Sequence, residues 1–97
     1  MAMEITLSKH AQRKLKEREL DQAIVEKVLR EPDFIFYDLF SKTMIAIAEV
    51  EIAGIHTNLV IPYVKENDKL KIVTIYPCRE IDREIRRKEG MRWARIK

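Results

Sequence analysis

Thr43-Met44-Ile45-Ala46-Ile47-Ala48-Glu49-Val50-Glu51-Ile52 alternates with a period of two. Met44, Ala46, Ala48, Val50 and Ile52 share one face of an extended chain. Thr43, Ile45, Ile47, Glu49 and Glu51 share the other, which turns polar toward its end. Working outward, Phe34 to Leu39 is rich in aromatic and β-branched residues, and Phe40-Ser41-Lys42 can turn back into the long strand. On the other side, Ala53-Gly54 permits a turn into a third strand, Asn58 to Val64. Pro62 within it has no N–H to donate, so a bulge or a locally unpaired edge is expected there. The polar run Lys65 to Lys69 forms a hairpin loop, and Leu70 to Tyr76 is a fourth strand ended by Pro77. Short connections favour antiparallel neighbours, which makes this region a meander.

Upstream of Pro32 the period is helical instead. Met3 to Thr6 is a short extended entry, and Ser8 is a good N-cap for a helix from about Lys9 to Glu19. Asp21 caps a second helix, whose Ile24, Val25, Val28 and Leu29 fall on one face. Glu31-Pro32 stops it, because the residue before a proline disfavours helical backbone. Downstream, Glu80 to Glu89 is helical with Ile81 and Ile85 as its apolar positions, and Gly90 is placed to end it. The tail Met91 to Lys97 alternates apolar and basic residues. The expected fold is therefore α+β: a short strand, two helices packed on an antiparallel four-strand meander, then a C-terminal helix. A single domain over residues 1–97 is expected, with 79–97 as its basic helix and tail.

Composition sets the class. Ninety-seven residues with 46% hydrophobic and 36% charged side chains suit a folded domain rather than a disordered one. No apolar run reaches the roughly 20 residues that span a bilayer. The N-terminus lacks a basic segment followed by an apolar one, and the single Cys78 leaves no internal disulfide. A cytoplasmic protein without membrane contact is the expectation. The net charge of +3 is unevenly spread, with +2 over residues 1–30, −3 over 31–78 and +4 over 79–97. If the two basic ends meet in space, they form a cationic patch that attracts phosphate backbones.

The first helix carries its own pattern. His10, Lys14 and Arg18 are four residues apart and line up as one polar stripe, beside the apolar Leu7, Ala11 and Leu15. An imidazole beside two cations can hold and cleave a phosphodiester, and the same stripe can also be a solvated helix face.

The segment His10-Ala11-x-x-Lys14-x-x-x-Arg18-x-Leu20, with Pro32-Asp33 after the second helix and Thr74-Ile75-Tyr76 late in the sheet, resembles small prokaryotic domains of the RelE/ParE-type toxin superfamily. The resemblance covers roughly residues 4–80. It implies a RelE-like fold of two helices on a curved antiparallel sheet. It also implies RNA as a partner, including ribosome-bound mRNA, a small antitoxin protein and a homodimer. Some members of that superfamily cleave mRNA, others poison gyrase, and many have no assigned activity. Carried over residue by residue, the pattern marks His10, Lys14 and Arg18, with Lys14 standing where Arg is more usual.

Metal-free RNA cleavage needs a base, an acid and cations for the phosphate. The expected catalytic set is His10, Arg18, Tyr76 and Arg79, with no metal and no cofactor. The expected nucleic-acid-binding set is Lys14, Arg13, Arg83, Arg87, Arg92 and Trp93. Trp93 offers a face on which a base can stack, although packing of the tail onto the body is the simpler account. A non-catalytic toxin-like module that binds nucleic acid or a partner protein is the alternative. His56 reads as a loop residue. Cys78 beside a basic segment is either a thiol of lowered pKa or a small, partly buried side chain. Glycine-rich phosphate loops and nucleophile elbows are absent.

Overall fold

The computed structural model describes residues 4–97, and Met3, the expected start of the first strand, lies outside them. The element order is β1 Glu4–Leu7, α1 Lys9–Glu17, α2 Gln22–Arg30, β2 Phe34–Asp38, β3 Thr43–Ile52, β4 Ile55–Glu66, β5 Lys69–Ile72, β6 Tyr76–Cys78, α3 Ile81–Lys88 and β7 Trp93–Arg95. The protein is α+β, as its periodicities predict. Both N-terminal helices start where capping chemistry puts them. The Ser8 hydroxyl accepts from the Ala11 N–H at 3.0 Å, and the Asp21 carboxylate accepts from Ala23 N–H at 2.9 Å.

The sheet departs from the expected meander. It has seven strands in the order β1-β5-β4-β3-β2-β7, with β6 paired to β4 beyond the end of β5. Three of its features lie outside a four-strand meander. β1 pairs with β5 in parallel, so the sheet is mixed. β7, formed by the alternating tail, extends the sheet beside β2. The expected fourth strand is two strands, because the chain leaves the ladder between Ile72 and Tyr76.

Pro62 explains that break. β5 pairs with Tyr63 to Glu66 of β4, and β6 pairs with Asn58 to Val60. Between them, Ile61 and Pro62 face the three residues Val73, Thr74 and Ile75. One extra residue on the second strand is the arithmetic of a bulge. Pro62 cannot donate into the ladder, while its carbonyl still accepts from Val73 N–H at 2.9 Å. The slip has a large consequence, because moving one residue in register sends every later side chain to the opposite face.

Each face of the sheet carries its own core. Ala46, Ala48, Leu59, Ile61, Ile72 and Ile75 pack with Ala11 of α1 and with Val25 and Val28 of α2. On the other face Phe36, Ile45, Ile47 and Val60 pack with Ile81 and Ile85 of α3 and with Trp93. The N-terminal helix pair and α3 thus cover opposite faces, and the two basic segments do not merge into one patch. No helix among the described residues is long and apolar enough to cross a membrane.

Ser8 ties the first helix to the sheet. Its hydroxyl donates to the Val73 carbonyl at 2.7 Å, and its backbone N–H donates to Ile72 at 3.0 Å. Ser8→Ala removes the cap and this link together. It should cost about 1–2 kcal/mol, read as a drop of several degrees in melting temperature. An unchanged melting temperature would refute the role.

Candidate functional site

Where α1 ends, the chain folds back under it. Glu19 takes a left-handed backbone (φ 52°), and Leu20 N–H donates to the Leu15 carbonyl at 2.9 Å. This turn drops Leu20 onto the sheet beside the β3–β4 hairpin, whose two-residue turn at Ala53 and Gly54 has positive φ at both positions. Between the helix end, the hairpin and the exit of β6 lies an open cleft of about 550 Å³. Its walls are the apolar side chains of Leu20, Ile52, Ile55, Leu59 and Pro77. Arg18 and Glu17 enter from the helix end, and Arg79 from the strand end.

Register places these groups. Leu59 faces Pro77 across the β4–β6 ladder, on the side of the sheet that α1 and α2 cover. Arg79 follows one residue beyond the ladder and also lines a second groove of about 690 Å³ on the α3 side. That second groove sets Asp33, Glu49, Glu80 and Asp82 against Arg79, Arg83 and Arg86, a balance of charge that offers an anion little. In the cleft the balance is different. Lys14 sits 3.6 Å from Glu17 and partly neutralises it, whereas Arg18 and Arg79 have no ion-pair partner among the described residues. Two free guanidiniums facing an apolar floor suit an anionic ligand with an apolar part.

Thr57 belongs to this cleft and was not foreseen from the sequence. It is only 8% exposed, and its hydroxyl has no hydrogen-bond partner among the described residues. A hydroxyl in an otherwise apolar alternation (Thr57, Leu59, Ile61, Tyr63) was the available signal.

The expected catalytic set does not assemble. Arg18 and Arg79 meet in the cleft, but His10 lies at the other end of α1, exposed, with its Nδ1 3.3 Å from the Arg13 guanidinium. Tyr76 is on the opposite face of the sheet, packed against Phe36 and its neighbours. A continuous fourth strand would have put Tyr76 on the side of Ile72, and the bulge turns it over. Burial, with Glu84 nearby, pushes the Tyr76 phenol up to about 12, so it stays protonated there.

The expected nucleic-acid-binding residues are also dispersed. Trp93 is 1% exposed and is a core residue, which makes the packing account of the tail the correct one. Arg92 is held by the Asp38 carboxylate at 3.2 and 2.7 Å. Arg83 pairs with Glu80 at 2.9 Å and Arg87 with Glu84 at 3.7 Å, both on exposed α3 and away from α1. Arg13 and Lys14 remain on the accessible side of α1 with His10. His56 is the second residue of β4, not a loop residue, and lies 3.6 and 3.3 Å from Glu49 and Glu51. Burial and the Glu84 carboxylate push the Cys78 thiol up, the opposite of activation. No group of three or more His, Cys, Asp or Glu among the described residues is arranged to hold a metal.

Mixed sheet, helices on both faces and a cationic cleft at one sheet end define a small α+β domain with a ligand-sized site. Residues 7–77 match the model of a domain of unknown function, DUF4258, and the chain belongs to that family. No curated protein and no solved structure matches it.

Proposed function

We propose that this domain binds RNA through its phosphates, as a cytoplasmic toxin-like module of the RelE/ParE kind. The observation that carries the reading is the convergence of Arg18 and Arg79, which are 61 positions apart in sequence, on one cleft with no carboxylate partner of their own. Cations without a partner are free to neutralise phosphate, and phosphate neutralisation dominates nucleic-acid affinity. Lys14 and Arg13 extend the charge along α1, away from the cleft.

The endoribonuclease form of this reading gives His10 the acid–base role. His10 is eight residues from Arg18 on the same helix, about 12 Å along its axis, a span of three to four stacked nucleotides at about 3.4 Å each. When Nδ1 accepts from Arg13, the imidazole presents its Nε2–H outward, where a strand held at Arg18 would pass.

The test is a salt titration of single-stranded RNA binding followed by fluorescence anisotropy. Affinity should fall steeply between about 50 and 200 mM salt. The double variant Arg18→Gln, Arg79→Gln should bind more weakly, with its log–log slope reduced by about 1.4, some 0.7 per lost contact on a single strand. Arg83→Gln with Arg87→Gln, on the other face, should leave both unchanged. Binding that is absent at low salt, or indifferent to Arg18 and Arg79, would end the reading. Cleavage is checked with His10→Ala on the same RNA, where a catalytic His10 predicts a loss of roughly 10²–10⁴-fold.

A further inference from the structure

The register slip at Pro62 leaves a hollow of about 230 Å³ on the α3 side of the sheet, with Pro62 and Val73 in its wall. Three segments distant in sequence supply its polar groups. Ser41 and Thr43 come from the β2–β3 turn, Thr74 and Tyr76 from the bulged segment, and Lys88 and Arg92 from either side of the turn after α3. Which of these groups are already committed decides what the hollow can hold. Asp38, the one carboxylate in its lining, accepts five hydrogen bonds, which fill the roughly four acceptor sites of a carboxylate. Glu84, whose charge also reaches Tyr76, is not part of the lining and is engaged by Lys88 at 2.6 Å and Arg87 at 3.7 Å. The acceptors are spent.

The donors are not. An ammonium has three N–H groups and a guanidinium five, so Lys88 and Arg92 keep several after serving Glu84 and Asp38. The Ser41 and Thr43 hydroxyls bond each other at 2.8 Å, which leaves one O–H between them. Tyr76 Oη has no hydrogen-bond partner among the described residues. It also keeps contact with solvent, since Thr57 Oγ1 is the one side-chain polar atom among them that is both sealed off and unpartnered. Burial, with Glu84 nearby, keeps that phenol protonated, so it donates. Uncommitted donors, two of them cationic, around filled acceptors suit a ligand that accepts in several directions at once, which is an oxyanion. We infer that this hollow binds a terminal phosphate group, with Tyr76, Lys88 and the uncommitted N–H groups of Arg92 donating to its oxygens. Its volume falls below the roughly 300–1,000 Å³ of sites for larger ligands, and so fits a small anionic group. A phosphomonoester presents three free oxygens and a charge of about −1.5 to −2. A phosphodiester inside a strand presents two free oxygens and a single charge, so free phosphate and chain ends are favoured over strand interiors. The site is independent of the RNA reading, which uses the cleft on the other face.

The experiment follows the isotope-labelled full chain by NMR at constant ionic strength. It is titrated with inorganic phosphate, with a nucleoside monophosphate and with the same nucleoside lacking the phosphate. The two phosphates should shift the indole N–H of Trp93, the single tryptophan, and the amides of Ser41 and Arg92 saturably. The nucleoside should shift none of them. Saturation by inorganic phosphate alone would identify the free ion as the source and still uphold the site. Tyr76→Phe removes only a hydroxyl without a partner among the described residues. Its melting temperature should hold while phosphate affinity falls about 10-fold, the scale of one hydrogen bond to a charged group. Lys88→Gln should lose at least as much, and Arg18→Gln should bind phosphate as the parent does. No saturable shift, shifts confined to the surroundings of Arg18, or parent-like affinity in Tyr76→Phe or in Lys88→Gln would overturn the inference. The RNA reading is tested by its own Arg18 and Arg79 variants, so either can fail alone.

Discussion

Trp93→Ala should lower the free energy of unfolding by about 3–5 kcal/mol, the range for removing a large aromatic from a core. Trp93 is 1% exposed and stacks on Phe36 with ring centroids 5.1 Å apart. Lys88 lies over the indole at 4.9 Å from its centroid, and the indole N–H donates to Asp38 at 3.3 Å. The backbone of Trp93 pairs with Asp38 in the β2–β7 ladder, so the side chain anchors the last strand of the sheet. Trp93→Phe keeps most of the buried area and loses the N–H, and it should cost about 1–2 kcal/mol. Denaturant unfolding at neutral pH measures both. RNA affinity should be unchanged in Trp93→Phe. A base-stacking surface residue would give the reverse result, with full stability and affinity lost by about 1–3 kcal/mol per base. That reverse result would overturn the core assignment.

How much of this was legible beforehand depends on whether a feature is local. Ser8 and Asp21 as caps, Gly54 in a turn and the ten-residue alternation of Thr43 to Ile52 are decided by neighbours in sequence, and each is found as read. Gly90, with φ 85°, follows α3 as its sequence position suggests. The failures are all pairings. That β1 lies beside β5 is decided by contacts 65 residues apart, and no periodicity of Glu4 to Leu7 announces it. A bulge or an unpaired edge is expected at Pro62 and is found there, but its count, two residues on one strand against three on its partner, is visible only once the strands are aligned. Leu70 to Tyr76 therefore read as one unbroken strand, which put Tyr76 on the wrong face.

The site divides in the same way. Arg18 and Arg79 were identified by residue type and motif, and the fold brings them together. His10 satisfied the same motif and stands about two turns away, because residues that share a stripe over eight positions are separated by about 12 Å along the helix axis. Thr57 and Asp38 were missed because a hydroxyl or carboxylate matters only through what surrounds it. The net charges of the two ends likewise could not show that α1 and α3 occupy opposite faces of the sheet. Arg79, at the sheet end, lines grooves on both sides.

Asp38→Ala should be the most damaging polar substitution, at about 2–4 kcal/mol. The carboxylate is 4% exposed and accepts from five donors. Phe40 and Ser41 N–H at 2.9 and 3.1 Å fix the β2–β3 turn, and Arg92 and the Trp93 indole lock the tail to it. Truncation leaves all of these unanswered, including a guanidinium that is about one-third exposed and so partly rescued by water. Burial alone would raise the Asp38 pKa. The hydrogen bonds from Arg92, Ser41 and Phe40 overcome it and hold the group at about 2, below its ordinary value of 3.8. A carboxylate whose pKa is depressed by folding stabilises the fold above its unfolded pKa and loses that contribution as acid protonates it. The stabilisation should therefore be complete above about pH 4 and disappear as pH falls through about 2, amounting to about 2 kcal/mol. Asp38→Asn retains an acceptor for the turn and cannot titrate. The stability difference between parent and Asp38→Asn, measured by denaturant unfolding from neutral pH downward, should be constant to about pH 4 and then shrink. Because Asp38 and Trp93 share a hydrogen bond, the double variant Asp38→Asn, Trp93→Phe should cost less than the sum of the two single changes. A pH-independent difference, or strict additivity, would mean that the carboxylate does not hold this corner of the fold together.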